Sequence, residues 1–364
     1  MSEWKEYKLG EIASFKTGKL NSNAAIENGV YPFFTCSPIT LSIDKYAYDQ
    51  KAILLAGNNA EGNFCIKYYE GKFNAYQRTY IIESQEDVCN LKFLYYSLKL
   101  CLQEFKNISQ GTSTRFLTAV ILNNFEIHLP PLNEQKRIAS ILSSLDDKID
   151  LLNRENATLE AMAETLFRQW FIEEAKEDWE EKPLSSIATF LNGLACQKYP
   201  PKNEIEKLPV LKIRELTNGI GTDSDWATTD VGKEYIIHSG DVIFAWSASL
   251  MVKIWDGEDC ILNQHLFKVT STTHPKWFYY LWCKYHLNEF IAIAQSHATT
   301  MGHIKRNDLD TAMVLVPSDG EILTMNDIME TLFSKIVNNN QQLISLQTNR
   351  DILLPKLMSN EVQL

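Results

Sequence analysis

A chain of 364 residues, 45% hydrophobic and 22% charged, is long enough for two or three ordinary globular domains. Its formal net charge of −11 argues against a protein that coats nucleic acid non-specifically, but leaves a specific binder open. Seven cysteines without a C-x-x-C pair and seven histidines without metal-ligand spacing read as reduced thiols in a cytoplasmic protein with no structural metal. The start MSEWKEYK is charged and aromatic, unlike a signal peptide, and no apolar run reaches membrane-spanning length.

In chain order, Leu9, Ile12, Ala13 and Phe15 line one face of a short helix or turn that ends at Gly18. Short apolar runs between turn residues then read as strands: 52–56 before Gly57-Asn58-Asn59, 64–69 before Glu70-Gly71, and 80–82 after Gln77-Arg78. Residues 91–105 carry Phe93, Leu94, Tyr95, Leu98 and Leu102 at helical spacing. The polar loop 109–115 leads into a strand at 125–129, stopped by Pro130-Pro131.

From Ile138 onward, Ile138, Leu142, Leu145, Ile149, Leu152, Asn156, Leu159, Ala163, Leu166 and Trp170 alternate in steps of four and three. This is a heptad seam in which only Asn156 is polar. Asn133 is the expected N-cap, with Glu134 near the positive helix end. At 1.5 Å per residue the helix is roughly 60 Å long and needs an equally long partner to cover its seam. Displacing the chain by 187 residues supplies that partner: Pro130 falls on Pro317, Glu134 on Glu321, Leu145 on Leu332, Ile149 on Ile336, Leu159 on Leu346 and Leu166 on Leu353.

The globular part repeats as well. At a displacement of 175, Leu184, Ile187, Ala188, Phe190 and Gly193 match Leu9, Ile12, Ala13, Phe15 and Gly18. Strand-like runs follow at 241–246 and 251–255, a helix at 275–290, and Asn263-Gln264-His265 replaces the Gln77-Arg78 region. Ala298-Thr299-Thr300 falls on Gly111-Thr112-Ser113. The chain is an internal duplication of class α+β: two repeated α+β domains joined by two long antiparallel coiled-coil helices, with a pseudo-two-fold relation. The expected boundaries are 1–130 for the first domain, 131–174 for the first helix, 175–317 for the second domain and 318–364 for the second helix. A repeated scaffold with divergent loops suits recognition of two different targets.

Three motifs carry a resemblance to a known family. They are W-x-x-x-x-L-x-x-I at 4–12, G-T-S-T-R-F-L at 111–117 and I-H-L-P-P-L-N-E-Q-K-R-I at 127–138. With the heptad helix behind the last, the whole chain resembles the specificity subunit of Type I restriction–modification systems. The second copy departs from that pattern, with Val316-Pro317-Ser318-Asp319-Gly320-Glu321 where L-P-P-L-x-E-Q is usual. The resemblance implies a non-catalytic subunit that selects the DNA sequence. It implies two modification subunits that methylate adenine with S-adenosylmethionine, and restriction subunits that use ATP and Mg2+, with no cofactor held by this chain. The residues agree by omission: there is no G-x-x-x-x-G-K-S/T loop, and Pro130-Pro131 follows Leu129, so it makes no Asn-Pro-Pro-aromatic methylation site.

Base edges are read by Arg, Lys, Asn and Gln, while Lys and hydroxyl groups more often hold phosphates. The first-domain candidates are Lys16, Lys19, Asn58, Asn59, Asn63, Gln77, Arg78, Thr112, Ser113 and Arg115. In the second domain they are Trp246, Ser247, Ser249, Gln264, His265, Thr299, His303, Lys305 and Arg306. Generic polar loops are the bland alternative for each, and Trp246 and His265 fit a core equally well. The run Gly302-His303-Ile304-Lys305-Arg306 stands out in an acidic chain.

Short linkers make the helix pair antiparallel, and a seam of roughly 48 Å spans about one and a half turns of B-DNA. The expected target is therefore a bipartite, asymmetric DNA site with a fixed unread spacer set by the helices, which also dock the modification subunits. The competing reading is a coiled-coil scaffold joining two protein-binding domains without DNA. One antiparallel register places Asn156 opposite Asn339, Ile138 opposite Leu357 and Leu142 opposite Leu353, with the head of Arg350 reaching for water or an acid. A mispaired buried amide costs roughly 1–3 kcal/mol, which favours that register.

Overall fold

The computed structural model describes residues 4–296, 302–359 and 361–362. The heptads form two long helices, Leu132–Arg168 of 37 residues and Asp319–Met358 of 40, the first closing in a π-turn at Gln169–Glu173. Asn133 is not the N-cap. The helix begins one residue earlier, and the Pro131 carbonyl accepts the Glu134 and Gln135 amides at 2.9 and 3.1 Å. Gln135, nearly fully buried, fastens this start to the globular part: it accepts the Asn90 amide at 2.8 Å and donates to the Val88 and Pro130 carbonyls at 3.1 and 2.8 Å.

The divergent second start is held by different chemistry. The Glu321 carboxylate accepts both the amide and the hydroxyl of Ser318, at 3.1 and 2.7 Å, in the manner of a capping box. The Lys176 ammonium, Ser318 and the Trp179 indole hold the pKa of this carboxylate down to about 2.

Two units divide the chain, Met1–Ile149 with Leu346–Leu364, and Asp150–Ser345. The first contains a six-stranded sheet in the order Ala13–Thr17, Thr79–Ser84, Tyr48–Ala56, Ile66–Ala75, Tyr31–Phe34, Leu41–Ile43. All neighbours are antiparallel except Tyr31–Phe34 with Ile66–Ala75. Gly71, expected in a turn, instead lies within this last strand opposite Gln50, at a φ of 129° that glycine adopts without strain. The opening is split too, into a single helical turn Leu9–Ile12 and a strand Ala13–Thr17. The helix expected at 91–105 breaks at Cys101 into Leu91–Leu100 and Leu102–Ile108.

The second unit repeats the plan in two four-stranded sheets. Lys207–Leu211 is parallel to Cys260–Leu262, as Tyr31–Phe34 is to Ile66–Ala75. The long strand Ile66–Ala75 is here two strands, Met251–Ile254 and Cys260–Leu262, parted by Asp256-Gly257-Glu258-Asp259. Its helix breaks at His286 into Lys276–Tyr285 and Leu287–Ser296. In both units a two-stranded ribbon precedes the long helix: Lys5–Lys8 with Glu126–Leu129, and Glu180–Pro183 with Met313–Val316.

Each core is shared between sheet, helices and a stretch of both long helices. Ile138, Leu142, Leu354 and Leu357 join Leu9, Phe93 and Phe105 in the first unit, and Ala163, Phe167, Met329 and Phe333 join Trp277 and Phe278 in the second. Toward its end the first long helix faces the globular core as well as its partner. Phe167 and Phe171, off the heptad seam, are therefore more deeply buried than Leu166 and Trp170. Phe171 touches Phe167, Trp179, Trp277, Phe278 and Trp282. Phe171→Ala should cost the second unit about 3–5 kcal/mol, read as a lower urea midpoint.

Within each unit the helix segments run antiparallel. In the second, Asn339 is fully buried and its Nδ2 donates to Asn156 Oδ1 at 2.9 Å and Glu155 Oε2 at 3.1 Å; Asn156 Nδ2 donates to Asn340 Oδ1 at 2.6 Å. In the first, Arg350 finds Asp146, its Nη1 donating to Oδ1 at 3.0 Å.

Candidate nucleic-acid interface

The first unit assembles its loops around Gly57. This glycine follows the strand Tyr48–Ala56, and its carbonyl accepts the Leu117 amide at 2.9 Å. Asn58 and Asn59 then pair antiparallel with Phe116 and Arg115. Asn59 builds the turn, its Oδ1 accepting the amides of Glu61 and Asn63 at 2.9 and 3.0 Å. At the centre of that turn Gly62 has a φ of 77°, and a Cβ there would meet the Lys106 stem at 3.0 Å and the Arg115 stem at 3.3 Å.

Two cations and an amide thus converge. Lys106 Nζ donates to Asn63 Oδ1 at 2.8 Å, and Arg115 Nη1 donates to the Ser109 carbonyl at 3.2 Å. The Arg78 guanidinium lies over the Phe116 ring, 5.4 Å from its centroid, and the Cys36 thiol donates to Asn58 Oδ1 at 3.0 Å. Gln77, beside Arg78, donates to Asn21 Oδ1 at 2.8 Å, and its amide reaches the Leu20 carbonyl next to Lys19 at 2.9 Å.

Of the sequence candidates, Asn58, Asn59, Asn63, Gln77, Arg78 and Arg115 therefore share one connected loop cluster, and exposed Lys19 stands at its edge, next to Leu20 in the chain. Thr112 and Ser113 stand exposed on the loop that leads into it. Lys16 is drawn elsewhere, to Glu83 at 3.0 Å, a carboxylate that Gln50 also binds at 2.9 Å. Lys106, Phe116, Asn21 and Cys36 were not singled out in the sequence. Lys106 reads as the solvent side of a helix end, and only tertiary folding brings it to the loop.

The second unit builds the same frame. Gly18 donates to the Thr79 carbonyl at 3.2 Å, and Gly193 to that of Leu266 at 3.1 Å. The bonds from Gln77 to Leu20 and from Leu117 to Gly57, both 2.9 Å, are matched by Gln264 to Leu194 at 2.8 Å and Ile304 to Trp246 at 3.1 Å. The pairing of Asn58 with Phe116 is matched by a bridge between Ser247 and His303. By these bonds Asn58 corresponds to Ser247, Arg78 to His265 and Phe116 to His303.

The side chains on this frame differ. Trp246 sits 6.0 Å from His265 and 6.2 Å from His303 between ring centroids, and its Nε1 donates to Asn192 Oδ1 at 3.1 Å. Ser247 Oγ and His265 Nδ1 are 3.1 Å apart, and Gln264 Nε2 is 3.3 Å from His265 Nε2. Ala248 holds a φ of 57° and donates its amide to the Gly302 carbonyl at 2.9 Å, beside exposed Ser249. Lys305 caps the short helix Arg306–Thr311, its amide 2.7 Å from Asp308 Oδ2. Trp246, Ser247, Gln264, His265 and His303 are thus one cluster with Asn192, which the sequence reading missed. Thr299 lies outside the described residues.

Among the described residues no group of three or more His, Cys, Asp or Glu side chains could hold a metal ion, and no helix is long and apolar enough to cross a membrane.

The family described as the Type I restriction modification DNA specificity domain matches residues 1–161 and again 176–348. The EcoDI specificity subunit of Escherichia coli is 38% identical over 169 residues, which covers 46% of this chain but only 36% of that relative. The MjaIX specificity subunit of Methanocaldococcus jannaschii is 27% identical over 301 residues, covering 75% of this chain and 69% of that one. The crystal structure of a Type I restriction–modification S subunit from M. genitalium shares the fold, with a TM-score of 0.66 at 16% identity over 98% of this chain and 96% of its own. With one family domain matched twice along the fold's two repeats, the chain belongs to the Type I restriction–modification DNA specificity family.

Proposed function

We propose that this protein selects the DNA sequence for a Type I restriction–modification complex. The globular parts at 1–130 and 175–317 each read one half of a bipartite, asymmetric site, and the helices at 131–174 and 318–364 set the unread gap and dock the modification subunits. The chain itself supplies no chemistry. S-adenosylmethionine, ATP and Mg2+ belong to the modification and restriction subunits.

One observation carries the reading: the loop frame recurs bond for bond while its side chains diverge, with Asn58, Arg78 and Phe116 on one copy and Ser247, His265 and His303 on the other. Two readers of different chemistry on one frame suit two different half-sites. Arg78 and Arg115 are suited to the O6/N7 edge of guanine and Asn58 to adenine, each bidentate pair contributing about 1–3 kcal/mol of discrimination; Lys19 and Lys106 suit phosphates.

The test is methylome sequencing of cells that express this chain with its modification subunits. The expected product is one motif of two unlike halves separated by a gap of constant length. A contiguous motif, or methylation indifferent to this chain, would overturn the proposal, and the latter would favour a protein-binding scaffold.

A further inference from the structure

Arg350 occupies a heptad seam position of the second long helix where the pattern calls for an apolar side chain. Its guanidinium binds Asp146 Oδ1 at 3.0 Å, and the other oxygen of that carboxylate accepts the Tyr96 hydroxyl at 2.7 Å. Tyr96 is nearly fully buried and belongs to Leu91–Leu100, a helix of the globular part. One carboxylate therefore ties three helices of the first unit together: the globular helix and a segment of each long helix.

The same three positions of the second unit hold something else. At a displacement of 187, Tyr96 becomes Cys283 and Asp146 becomes Phe333, while Arg350 takes the place of Ala163. All three counterparts are buried in the apolar core. Apolar packing is close to non-directional, whereas a chain of charge-assisted hydrogen bonds holds only at one geometry. Such a network costs desolvation and adds little net stability over a well-packed apolar cluster, so its distinctive contribution is orientation.

We propose that Tyr96, Asp146 and Arg350 are positioning residues that fix the angle of the first globular part on its own helix segments, and through it the gap length the protein accepts. The statement about the gap rests on the function proposed above; the statement about the angle does not.

The test removes the hydroxyl with Tyr96→Phe and, in that background, installs the second unit's two long-helix residues in the full chain as the double variant D146F/R350A, so that no buried donor is left without an acceptor. The double variant should keep or raise the urea midpoint. Amides of Leu91–Leu100 should nevertheless exchange about tenfold faster than in the native protein, comparable to losing one hydrogen bond to a charged group. In the methylome, sites with a gap one base pair longer or shorter should appear while both half-site sequences stay the same. A stable double variant with native exchange and a native gap would overturn the proposal, because a purely structural role predicts that result. If the double variant does not fold, Tyr96→Phe decides by the same exchange measurement, and native rates there would overturn it. Failure of the native chain to write any two-part motif would sink the proposed function alone, leaving the exchange result to judge the angle.

Discussion

Exchange of residues 1–130 for the matching region of another specificity subunit should replace one half of the methylated motif and leave the other half and the gap unchanged. The region contains the whole first loop cluster, from Lys19 at its edge through Asn58, Arg78 and Lys106 to Phe116. The second cluster draws only on elements of Asp150–Ser345. The exchanged part must still meet Ile138, Leu142, Leu354 and Leu357, so a donor with apolar side chains where Leu9, Phe93 and Phe105 stand will fold. Methylome sequencing reads the result directly. A motif changed in both halves would show that the halves are not read separately.

The second large effect is expected from a single methyl-bearing side chain at Gly111. The loop 110–116 closes on itself through two backbone bonds, Gln110 to Phe116 at 3.1 Å and the reverse at 2.8 Å. Gly111 allows this with a φ of 110°, and a Cβ would lie 2.0 Å from the Thr114 carbonyl oxygen. Gly111→Val cannot adopt that geometry, so Arg115 and Phe116 lose their pairing with Asn59 and Asn58. Affinity for a duplex with both half-sites should fall about a hundredfold, the equivalent of two lost base contacts, while the urea midpoint falls only slightly, because 110–113 are exposed and 114–116 half-buried, outside the buried core. Native affinity in the variant would mean that this loop does not face DNA.

The heptads and the duplication were legible because they are periodic: side-chain spacing alone defines a seam, and its repetition defines the second copy. The parallel strands were not. Tyr31–Phe34 and Lys207–Leu211 contain Pro32 and Pro209, residues that demote a strand on sequence grounds, and they pair with strands distant in the chain. Gly71 after Glu70 reads as a turn, yet its register opposite Gln50 keeps it within a ladder. The polar residues of the first interface were visible as types, whereas the contact of Lys106 with Asn63 depends on a helix end arriving from over forty residues away, which no local pattern encodes. Lys16 looked equivalent to its neighbours until Glu83 was placed beside it.

The first unit is discontinuous, and that imposes an order on its synthesis. Asp150–Ser345 is a single stretch, able to pack as soon as its last residue has left the ribosome. Met1–Ile149 emerges earlier but needs Leu354 and Leu357, made some two hundred residues later, to cover Ile138 and Leu142. The part made first is therefore the part finished last, and throughout elongation it carries an open apolar stripe whose closure spans more than half of the chain, the slowest kind of contact for a polypeptide to make.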